Sequence, residues 1–223
     1  MKAMLLAAGF GERMRPLTET TPKPLLQVGG KALIDYHLEA LQAAGFTEFV
    51  INVSWLGEQI EAHFAPALAA GVAIRFSREQ QPLETAGGIV KALPLLGAEP
   101  FLVVNADVWT DYPLHALRNA AVPAGGAHLL LVDNPPHHPG GDFHLQASGL
   151  LDRRESPRHT YAGIGVYAPA FFAGVAPGKR PLLPLLEAAV ARGALSGEHY
   201  AGRWCDVGTP ERLRALDADL GIL

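Results

Sequence analysis

The chain has 223 residues, a formal net charge of -4 and one cysteine, and 49% of its residues are hydrophobic. This length and apolar content predict one large domain with a sizeable core, and the negative charge argues against a nucleic-acid-binding surface. The single cysteine, Cys205, excludes an internal disulfide and any cysteine-based zinc cluster. No apolar run reaches the roughly 18 residues of a membrane-spanning helix, and the first run is too short for a signal peptide. We therefore expect a cytoplasmic protein with no membrane or nucleic-acid partner.

The first half of the chain alternates predicted strands and helices. In chain order, these are a strand at 4–8, a helix at 32–44, a strand at 49–53, a helix at 58–70, a strand at 72–76, a helix at 84–96 and a strand at 100–104. In the second helix, Ile60, Phe64 and Leu68 form the apolar stripe. Strands that alternate with helices predict a parallel sheet between helix layers, and ligands of such sheets bind beyond the carboxyl ends of the strands.

The second half has shorter predicted strands with turns between them. Strands are predicted at 128–132, 143–145, 150–152, 161–167 and 199–207, and helices at 181–191 and 210–220. Thr209 is the predicted N-cap of the last helix, and Pro210 is its first residue. The short strands predict a small mixed sheet. No clean linker divides the chain, so we expect a single domain, 1–223, with halves of about 1–126 and 127–223.

An apolar strand leads directly into a loop that is rich in glycine and positive charge. The loop contains two glycines, two arginines and a lysine: Gly9, Gly11, Arg13, Arg15 and Lys23. Glycines let backbone N–H groups approach an anion closely. The combination of a strand, a bare loop and converging cations therefore predicts a polyphosphate site.

Three other interpretations of this loop are weaker. A dinucleotide-binding fingerprint requires a third glycine where Met14 stands, and Asp35 only loosely matches the acidic residue expected further on. A Walker A loop requires Gly-Lys-Ser/Thr, which is absent. A surface turn without any ligand remains as the structural alternative.

Residues 6–18 read Leu-Ala-Ala-Gly-Phe-Gly-Glu-Arg-Met-Arg-Pro-Leu-Thr, and Pro-Lys-Pro follows at 22–24. This stretch resembles the signature of the sugar-1-phosphate nucleotidyltransferases, and the whole chain resembles that family in order. The resemblance implies an α/β, Rossmann-like nucleotidyltransferase fold: a mostly parallel central sheet flanked by helices, with a small mixed β sugar-binding subdomain. It further implies that the first half binds the nucleotide and the second half the sugar.

The same resemblance implies the reaction. An oxygen of a sugar 1-phosphate attacks the α-phosphorus of a nucleoside triphosphate, here UTP, and pyrophosphate leaves. Such chemistry requires positioning and charge neutralisation above all. A magnesium ion (Mg2+) is the implied cofactor.

The family pattern assigns catalytic roles to Arg13, Lys23 and Asp107. Lys23 is expected to contact the phosphates, to be held extended by the prolines on either side and to be exposed in the empty cleft; Arg13 is expected at the β- and γ-phosphates. Arg15 either does the same or pairs with a core carboxylate. The implied nucleotide-binding residues are Leu6, Ala8, Gly9, Gly11, Glu12, Arg13, Lys23, Glu79, Pro82, Thr85 and Gly87. Glu79 falls at the base-facing position, where a carboxylate accepts N–H groups of either uracil or guanine and so does not select the base.

Two carboxylates are the implied magnesium ligands. Asp107 follows a buried predicted strand, and Asp206 lies in Trp-Cys-Asp-Val-Gly-Thr before the last helix. Magnesium is commonly held by one or two carboxylates together with phosphate oxygens. Without the family resemblance, each aspartate could equally be an N-cap or a turn former instead of a metal ligand.

The implied sugar-binding residues are Asn105, Asp142, Glu155 and Gly163. Gly163 is expected to leave room for the sugar. Each of the four has an alternative interpretation as a turn residue. His137 and His138 also lie in a turn region, and adjacent histidines in extended chain point in opposite directions, which makes a poor chelate. We expect a loop role for both.

The sequence departs from the family pattern at three positions. Ala106 replaces a glycine, which would cost about 1 kcal/mol or more if the backbone there has a positive φ. Glu84 replaces a glycine beside the nucleotide site, and Ser156 replaces a lysine that contacts phosphate in the family. These departures keep open a non-catalytic nucleotide-sugar-binding module as a function of another class.

Within the family, four stretches resemble the uridylyltransferases that act on N-acetyl-α-muramate 1-phosphate in cell-wall recycling. These stretches are residues 51–57, 105–111, 132–138 and 196–200. The implied product is UDP-N-acetylmuramate. A mannose-1-phosphate guanylyltransferase that makes GDP-mannose is the nearest alternative. The oligomeric state, monomer or small homo-oligomer, is left open.

Overall fold

A computed structural model of the protein describes residues 1–154 and 156–221. The strands are β1 (Ala3–Leu6), β2 (Gln27–Val28), β3 (Lys31–Ala32), β4 (Glu48–Val53), β5 (Ala73–Arg78), β6 (Phe101–Asn105), β7 (Val108–Thr110), β8 (Ala127–Val132), β9 (His144–Leu145), β10 (Leu151–Asp152), β11 (Thr160–Tyr167), β12 (Leu195–Tyr200) and β13 (Trp204–Asp206). The α-helices are α1 (Leu17–Thr20), α2 (Leu33–Ala43), α3 (Gly57–His63), α4 (Ala65–Ala69), α5 (Glu84–Leu96), α6 (Leu183–Ala191) and α7 (Pro210–Leu220).

A seven-stranded sheet forms the centre of the molecule, in the order β12-β8-β11-β6-β1-β4-β5. All neighbouring strands are parallel except β11, which runs antiparallel to both β6 and β8. The predicted α/β fold with a mostly parallel sheet is therefore confirmed. The sheet is larger than expected, because β8, β11 and β12 of the second half extend it rather than forming a sheet of their own. A small antiparallel pair, β9 with β10, lies outside it.

The central strands are buried on both faces, which is why they are continuous apolar runs. Successive residues of β1 point to opposite faces: Leu5 packs in one core cluster with α2, and Met4 packs in a second cluster with α5. The apolar stripe of α2 follows the helical period, and α5 presents Ala86 and Ile89 to its own side of the sheet. Helices thus cover both faces of the sheet.

A third core cluster joins the two ends of the chain. Met14, from the glycine-rich loop, packs with Val207 and with Leu213 of α7. Helix α7 begins as predicted: Pro210 is its first residue, and the Thr209 hydroxyl accepts a hydrogen bond from the Arg212 N–H at 3.4 Å. This packing holds the start of α7 beside the glycine-rich loop.

Two predicted elements are interrupted. The helix predicted over 58–70 is divided into α3 and α4 at Phe64, because Pro66 has no N–H to continue the helical hydrogen bonds; Leu68 is 39% exposed instead of joining the stripe. The strand predicted over 199–207 is divided into β12 and β13. The carboxylate of Asp111 stabilises the corner between them by accepting hydrogen bonds from the Tyr200 hydroxyl at 2.7 Å and the Arg203 N–H at 2.9 Å.

In the part of the chain that the structure describes, no helix combines the length and apolar character needed to cross a membrane. The boundary near residue 126 between two halves stays a prediction.

Candidate active site

A cleft of about 540 Å³ opens beyond the carboxyl ends of β1 and β6. Eight of the predicted nucleotide-binding residues line it: Leu6, Ala8, Gly9, Gly11, Glu12, Arg13, Lys23 and Thr85. Asp107 and Asn105 line it as well, at the end of β6. The cleft therefore lies at the edge of the sheet where the site was predicted.

A second cleft of about 420 Å³ adjoins the first. The two clefts share Glu84, Thr85 and Asn105 as lining residues. Asp142 lines only the second, together with an apolar surface from the region of α6 that includes Leu183. Two ligands can therefore lie side by side, with these three residues lining the space for both.

The Lys23 ammonium lies 2.6 Å from an Asp107 carboxylate oxygen, so a cation and a carboxylate from distant parts of the chain meet in the first cleft. The Lys23 side chain is only 11% exposed, which corrects the expectation of an exposed lysine. Lys23 also begins a 3-10 turn, Lys23–Leu25, rather than an extended segment. The buried prolines on either side hold this turn against the core and limit access to the lysine stem.

The segments that carry the two predicted metal ligands pair in a short ribbon, with Asp107 lining the first cleft and Asp206 lining neither cleft. Strand β13 pairs antiparallel with β7, and Val207 N–H donates to the Asp107 carbonyl at 2.8 Å. The Asp206 side chain is held by cationic groups, because its Oδ1 atom lies 2.7 Å from Arg212 Nη1 and 3.3 Å from His137 Nε2. That oxygen is buried and makes no contact with hydrogen-bond geometry among the described residues.

Glycines allow close approaches around these charges. A Cβ at Gly208 would lie 2.1 Å from Arg212 Nη2 and 3.2 Å from Arg13 Nη2, so this position brings two guanidinium groups beside the end of β13. Gly11 has φ +62°, and a Cβ there would lie 2.8 Å from the Thr18 methyl group. The Thr18 hydroxyl donates to the Gly11 carbonyl at 2.8 Å, which folds the loop back upon itself.

Arg13 is exposed and lines the first cleft, and it has no ion-pair partner within residues 1–154 and 156–221. Arg15 is also exposed, but it does not line either cleft. The described carboxylates form no ion pair with Arg15, so neither expected role of this residue is supported.

Asn52, at the carboxyl end of β4, is a cleft residue that sequence reasoning missed. Its side-chain oxygen accepts from Ala7 N–H at 2.8 Å, and its Nδ2 donates to Glu79 Oε1 at 2.7 Å. The other Glu79 oxygen accepts from Leu83 N–H at 2.9 Å. Burial raises the pKa of Glu79, which is 6% exposed and lies behind Asn52 instead of lining the cleft. The sequence signal that could have identified Asn52 is a polar residue at the end of an apolar strand.

Pro82 and Gly87 also lie outside the linings of both clefts. A Cβ at Gly87 would lie 2.2 Å from the Gly178 carbonyl oxygen, so this glycine permits a close backbone contact with the segment before α6. Ala106 is fully buried and is not among the positive-φ residues. Its replacement of glycine therefore carries no backbone strain. Glu84, in contrast, has φ 60°.

Of the residues predicted to bind the sugar, Asn105 and Asp142 line the second cleft, whereas Gly163 lines neither cleft. Gly163 has φ +76°, and a Cβ there would lie 2.7 Å from Asn105 Nδ2, so this glycine makes room for the asparagine side chain. Asp142 accepts a hydrogen bond from Tyr161 N–H at 2.8 Å. Glu155 lies outside the described residues.

The adjacent histidines point to different carboxylates. His137 lies 3.3 Å from Asp206, and His138 lies 3.1 Å from Asp142, as expected for a loop role rather than a chelate. A separate group of metal-ligand side chains, Asp133, His159 and His199, has its ligand atoms within 4.8 Å of one another. None of these three lines either cleft.

The sequence profile of the nucleotidyl transferase family matches residues 2–143. An N-acetylmuramate alpha-1-phosphate uridylyltransferase of Neisseria meningitidis serogroup B is 50% identical over 228 residues, which cover 99% of each chain. A protein of the same name from Caulobacter vibrioides is 39% identical, over 98% of this chain and 96% of its own. The mannose-1-phosphate guanyltransferase of Schizosaccharomyces pombe is more distant, with 34% identity over 95% of this chain and 62% of its own.

A crystal structure from Bacillus anthracis, described as a glucose-1-phosphate thymidylyltransferase, superposes with a TM-score of 0.86. The alignment covers 100% of this chain and 96% of that one, at 20% sequence identity, and shows a shared fold. Together with the full-length relatives, these matches confirm the resemblance seen in the sequence. The chain belongs to the nucleotidyl transferase family.

Proposed function

We propose that the protein joins UTP and N-acetyl-α-muramate 1-phosphate to give UDP-N-acetylmuramate and pyrophosphate, in the recycling of cell-wall sugars. A transferase with two substrates is supported by the pair of adjoining clefts, which share Glu84, Thr85 and Asn105 as lining residues. The choice of substrates rests on the full-length 50% identity to the Neisseria meningitidis uridylyltransferase.

In this proposal the first cleft binds the triphosphate. The backbone N–H groups of the loop between Gly9 and Arg13 face the phosphates, and the Lys23 ammonium and the Arg13 guanidinium offset their negative charge. The nucleoside packs on Leu6 and Ala8. Asn52, fixed by Glu79, presents its amide beside the nucleoside, since both of its polar atoms are oriented by hydrogen bonds.

The second cleft binds the sugar phosphate. Asn105 and Asp142 supply hydrogen-bonding groups for sugar hydroxyls, and the lining residues shared with the first cleft bring the sugar phosphate to the α-phosphorus. A phosphate oxygen of the sugar forms the new bond to that phosphorus as the bond to pyrophosphate breaks. The protein contributes orientation and positive charge to this step.

Members of the nucleotidyl transferase family typically use a divalent metal. Asp107 and Asp206 fit such an ion by their chemistry, because carboxylate oxygens suit magnesium and the segments that carry them pair in the β7–β13 ribbon. We infer that these two aspartates hold the ion, which supplies further charge neutralisation to the phosphates when bound. Lys23 orients Asp107, and Arg212 orients Asp206.

Purified protein tested with UTP and GTP against both N-acetylmuramate 1-phosphate and mannose 1-phosphate discriminates the candidate functions. We expect magnesium-dependent pyrophosphate release to be fastest with UTP and N-acetylmuramate 1-phosphate. Release with GTP and mannose 1-phosphate alone would overturn the choice of substrates. A protein that binds UTP and never turns over would instead be the non-catalytic module.

The Asp107→Asn variant tests the assigned metal ligand. It keeps the shape of the side chain and removes its charge, so turnover is expected to fall by about a hundredfold or more. Asp219→Asn is the matched control, because that exposed carboxylate lies outside both clefts and outside the group of Asp133, His159 and His199. Equal activity of the two variants would remove Asp107 from the mechanism.

A further inference from the structure

One of the residues that line both clefts is strained. Glu84 has φ 60°, and Leu56 is the other non-glycine residue with positive φ among those described. Left-handed backbone conformations are unfavourable for residues with a Cβ, and such residues concentrate at functional sites. Glu84 lines both clefts. Its left-handed backbone conformation therefore sets where the Glu84 carboxylate lies relative to them.

The partner of Glu84 is Lys179, whose ammonium lies 3.5 Å from Glu84 Oε1. The backbone of this lysine is fixed by its neighbour. Arg180 N–H donates to the Leu83 carbonyl at 2.9 Å, and the Arg180 carbonyl accepts from Ala86 N–H at 3.1 Å. These bonds dock the segment before α6 against the start of α5. Lys179 lines neither cleft itself but lies beside both through its contact with Glu84, and its side chain is 67% exposed.

The second cleft itself is acidic and apolar. Its charged lining residues are Glu84 and Asp142, and no lysine or arginine is among the described residues that line it. Leu183, which is 45% exposed, contributes to the apolar part of the lining. A sugar with a negatively charged substituent would therefore meet two carboxylates, unless a cation at the rim reaches it.

We propose that Lys179, positioned by Glu84, binds the carboxylate of the lactyl substituent of an acidic sugar 1-phosphate. This inference rests on the proposed function, because N-acetylmuramate carries such a lactyl ether. The carboxylate is ionised at neutral pH, and the ammonium lies between it and the Glu84 carboxylate. The methyl groups of the lactyl and acetamido substituents then pack on the apolar surface around Leu183. Lys179 is thus a residue that determines sugar specificity.

Steady-state kinetics with UTP and N-acetylmuramate 1-phosphate test the role of Lys179. Lys179→Met keeps the apolar stem and removes the charge, so the KM for the sugar phosphate is expected to rise about tenfold while the KM for UTP stays within about twofold. Lys179→Arg is expected to restore most of the loss, and Lys179→Glu to weaken binding further. Lys31→Met is the matched control, since Lys31 pairs with Glu39 and lines neither cleft.

A second measurement isolates the carboxylate of the substrate. In the analogue, an amide replaces the lactyl carboxylate. For the parent protein, the inhibition constant of this amide is expected to be larger than the KM for the acid. The inhibition constant is expected to be the same for Lys179→Met as for the parent. An equal loss of affinity for acid and amide in this variant would overturn the inference, as would an unchanged KM for the acid. No pyrophosphate release by the parent protein from UTP and N-acetylmuramate 1-phosphate would instead overturn the proposed function, and this inference with it.

Discussion

Lys23 illustrates how a sequence can predict a role for a residue without predicting the environment of that residue. The signature around it indicated a phosphate-binding lysine, and the structure places its ammonium in the first cleft against Asp107. Its low exposure could not be predicted, because exposure depends on how the 3-10 turn packs and not on the residue type. The paired geometry suits a cation that is oriented before any ligand arrives.

Replacing Lys23 with methionine tests this arrangement. We expect kcat/KM for UTP to fall by about 10²- to 10³-fold, since a positioned donor to the phosphates is lost. Thermal unfolding is expected to change little, because the Asp107 side chain is 40% exposed and water can solvate it. Lys31→Met serves as the control for loss of a lysine elsewhere. Near-parental turnover, or a large drop in unfolding temperature, would contradict this role.

Glu84 allows a test of backbone strain that is independent of activity. Relieving the left-handed conformation with glycine, which adopts it freely, is expected to make Glu84→Gly more stable than Glu84→Ala by about 1 kcal/mol. Both variants lose the carboxylate and its contact with Lys179, so their difference isolates the backbone. Urea unfolding at equilibrium measures it. An alanine variant as stable as the glycine variant would show that the position is unstrained.

Other residues show where sequence patterns reach their limit. Ala106 was ambiguous because a pattern of residue types does not report φ; the structure gives it ordinary buried backbone. Asn52 was missed because it follows an apolar run that suggested only a strand. Its importance depends on hydrogen bonds to Ala7 and Glu79, which are 45 and 27 residues away in the chain.

At the scale of elements, the ribbon of β7 and β13 brings together residues from the middle of the chain and from near its C-terminal end. The sequence indicated that the segments around Asp107 and Asp206 should meet, and they pair directly. The break before β13 was not predicted. The side chain that stabilises it, Asp111, lies 92 residues from Arg203, and local periodicity cannot report such a contact.

Helix α2 docks on this ribbon through a buried histidine. His37 Nε2–H donates to the Val108 carbonyl at 2.7 Å, and burial lowers the pKa of His37 to about 4 from its usual value near 6.5. The folded state therefore keeps the ring neutral at pH values where the unfolded state binds a proton. The free energy of unfolding is expected to fall by about 1.4 kcal/mol per pH unit between about pH 6.5 and pH 4 from this group.

Urea unfolding at several pH values in that range measures this contribution against a matched variant. In His37→Gln, a neutral amide can still donate to Val108, and the histidine part of the slope is expected to disappear. Other titrating groups affect both proteins alike, so the difference between the two slopes reports on His37. Parallel slopes would show that the ring is protonated in the folded state.

At the scale of the whole molecule, the alternation of strands and helices was sufficient to predict the parallel half of the sheet. It was not sufficient to predict that β8, β11 and β12 continue the same sheet, because a strand's periodicity does not identify its partner. Strand β11 pairs with β6 through Ile164 and Val104, some 60 residues apart. The sheet thereby carries the residues proposed to bind the sugar on the same framework as those proposed to bind the nucleotide.

Charge is distributed unevenly over this framework. The net charge of the chain is -4, yet Lys23 and Arg13 converge on the first cleft, and Arg212 lies beside it through Gly208. Glu12, Glu84 and Asp107 line the same cleft, so it offers cations to phosphate oxygens and carboxylates to a divalent ion rather than an excess of positive charge. The candidate site thus follows from the fold as a whole rather than from any single motif.

A crystal structure of the protein with magnesium, a non-reactive UTP analogue and N-acetylmuramate 1-phosphate tests the central claim most directly. We predict the triphosphate against Lys23 and Arg13, the ion on Asp107 and Asp206, and the sugar in the second cleft. A triphosphate bound away from the first cleft, or an ion on Asp133, His159 and His199 with Asp107 and Asp206 unliganded, would contradict the account.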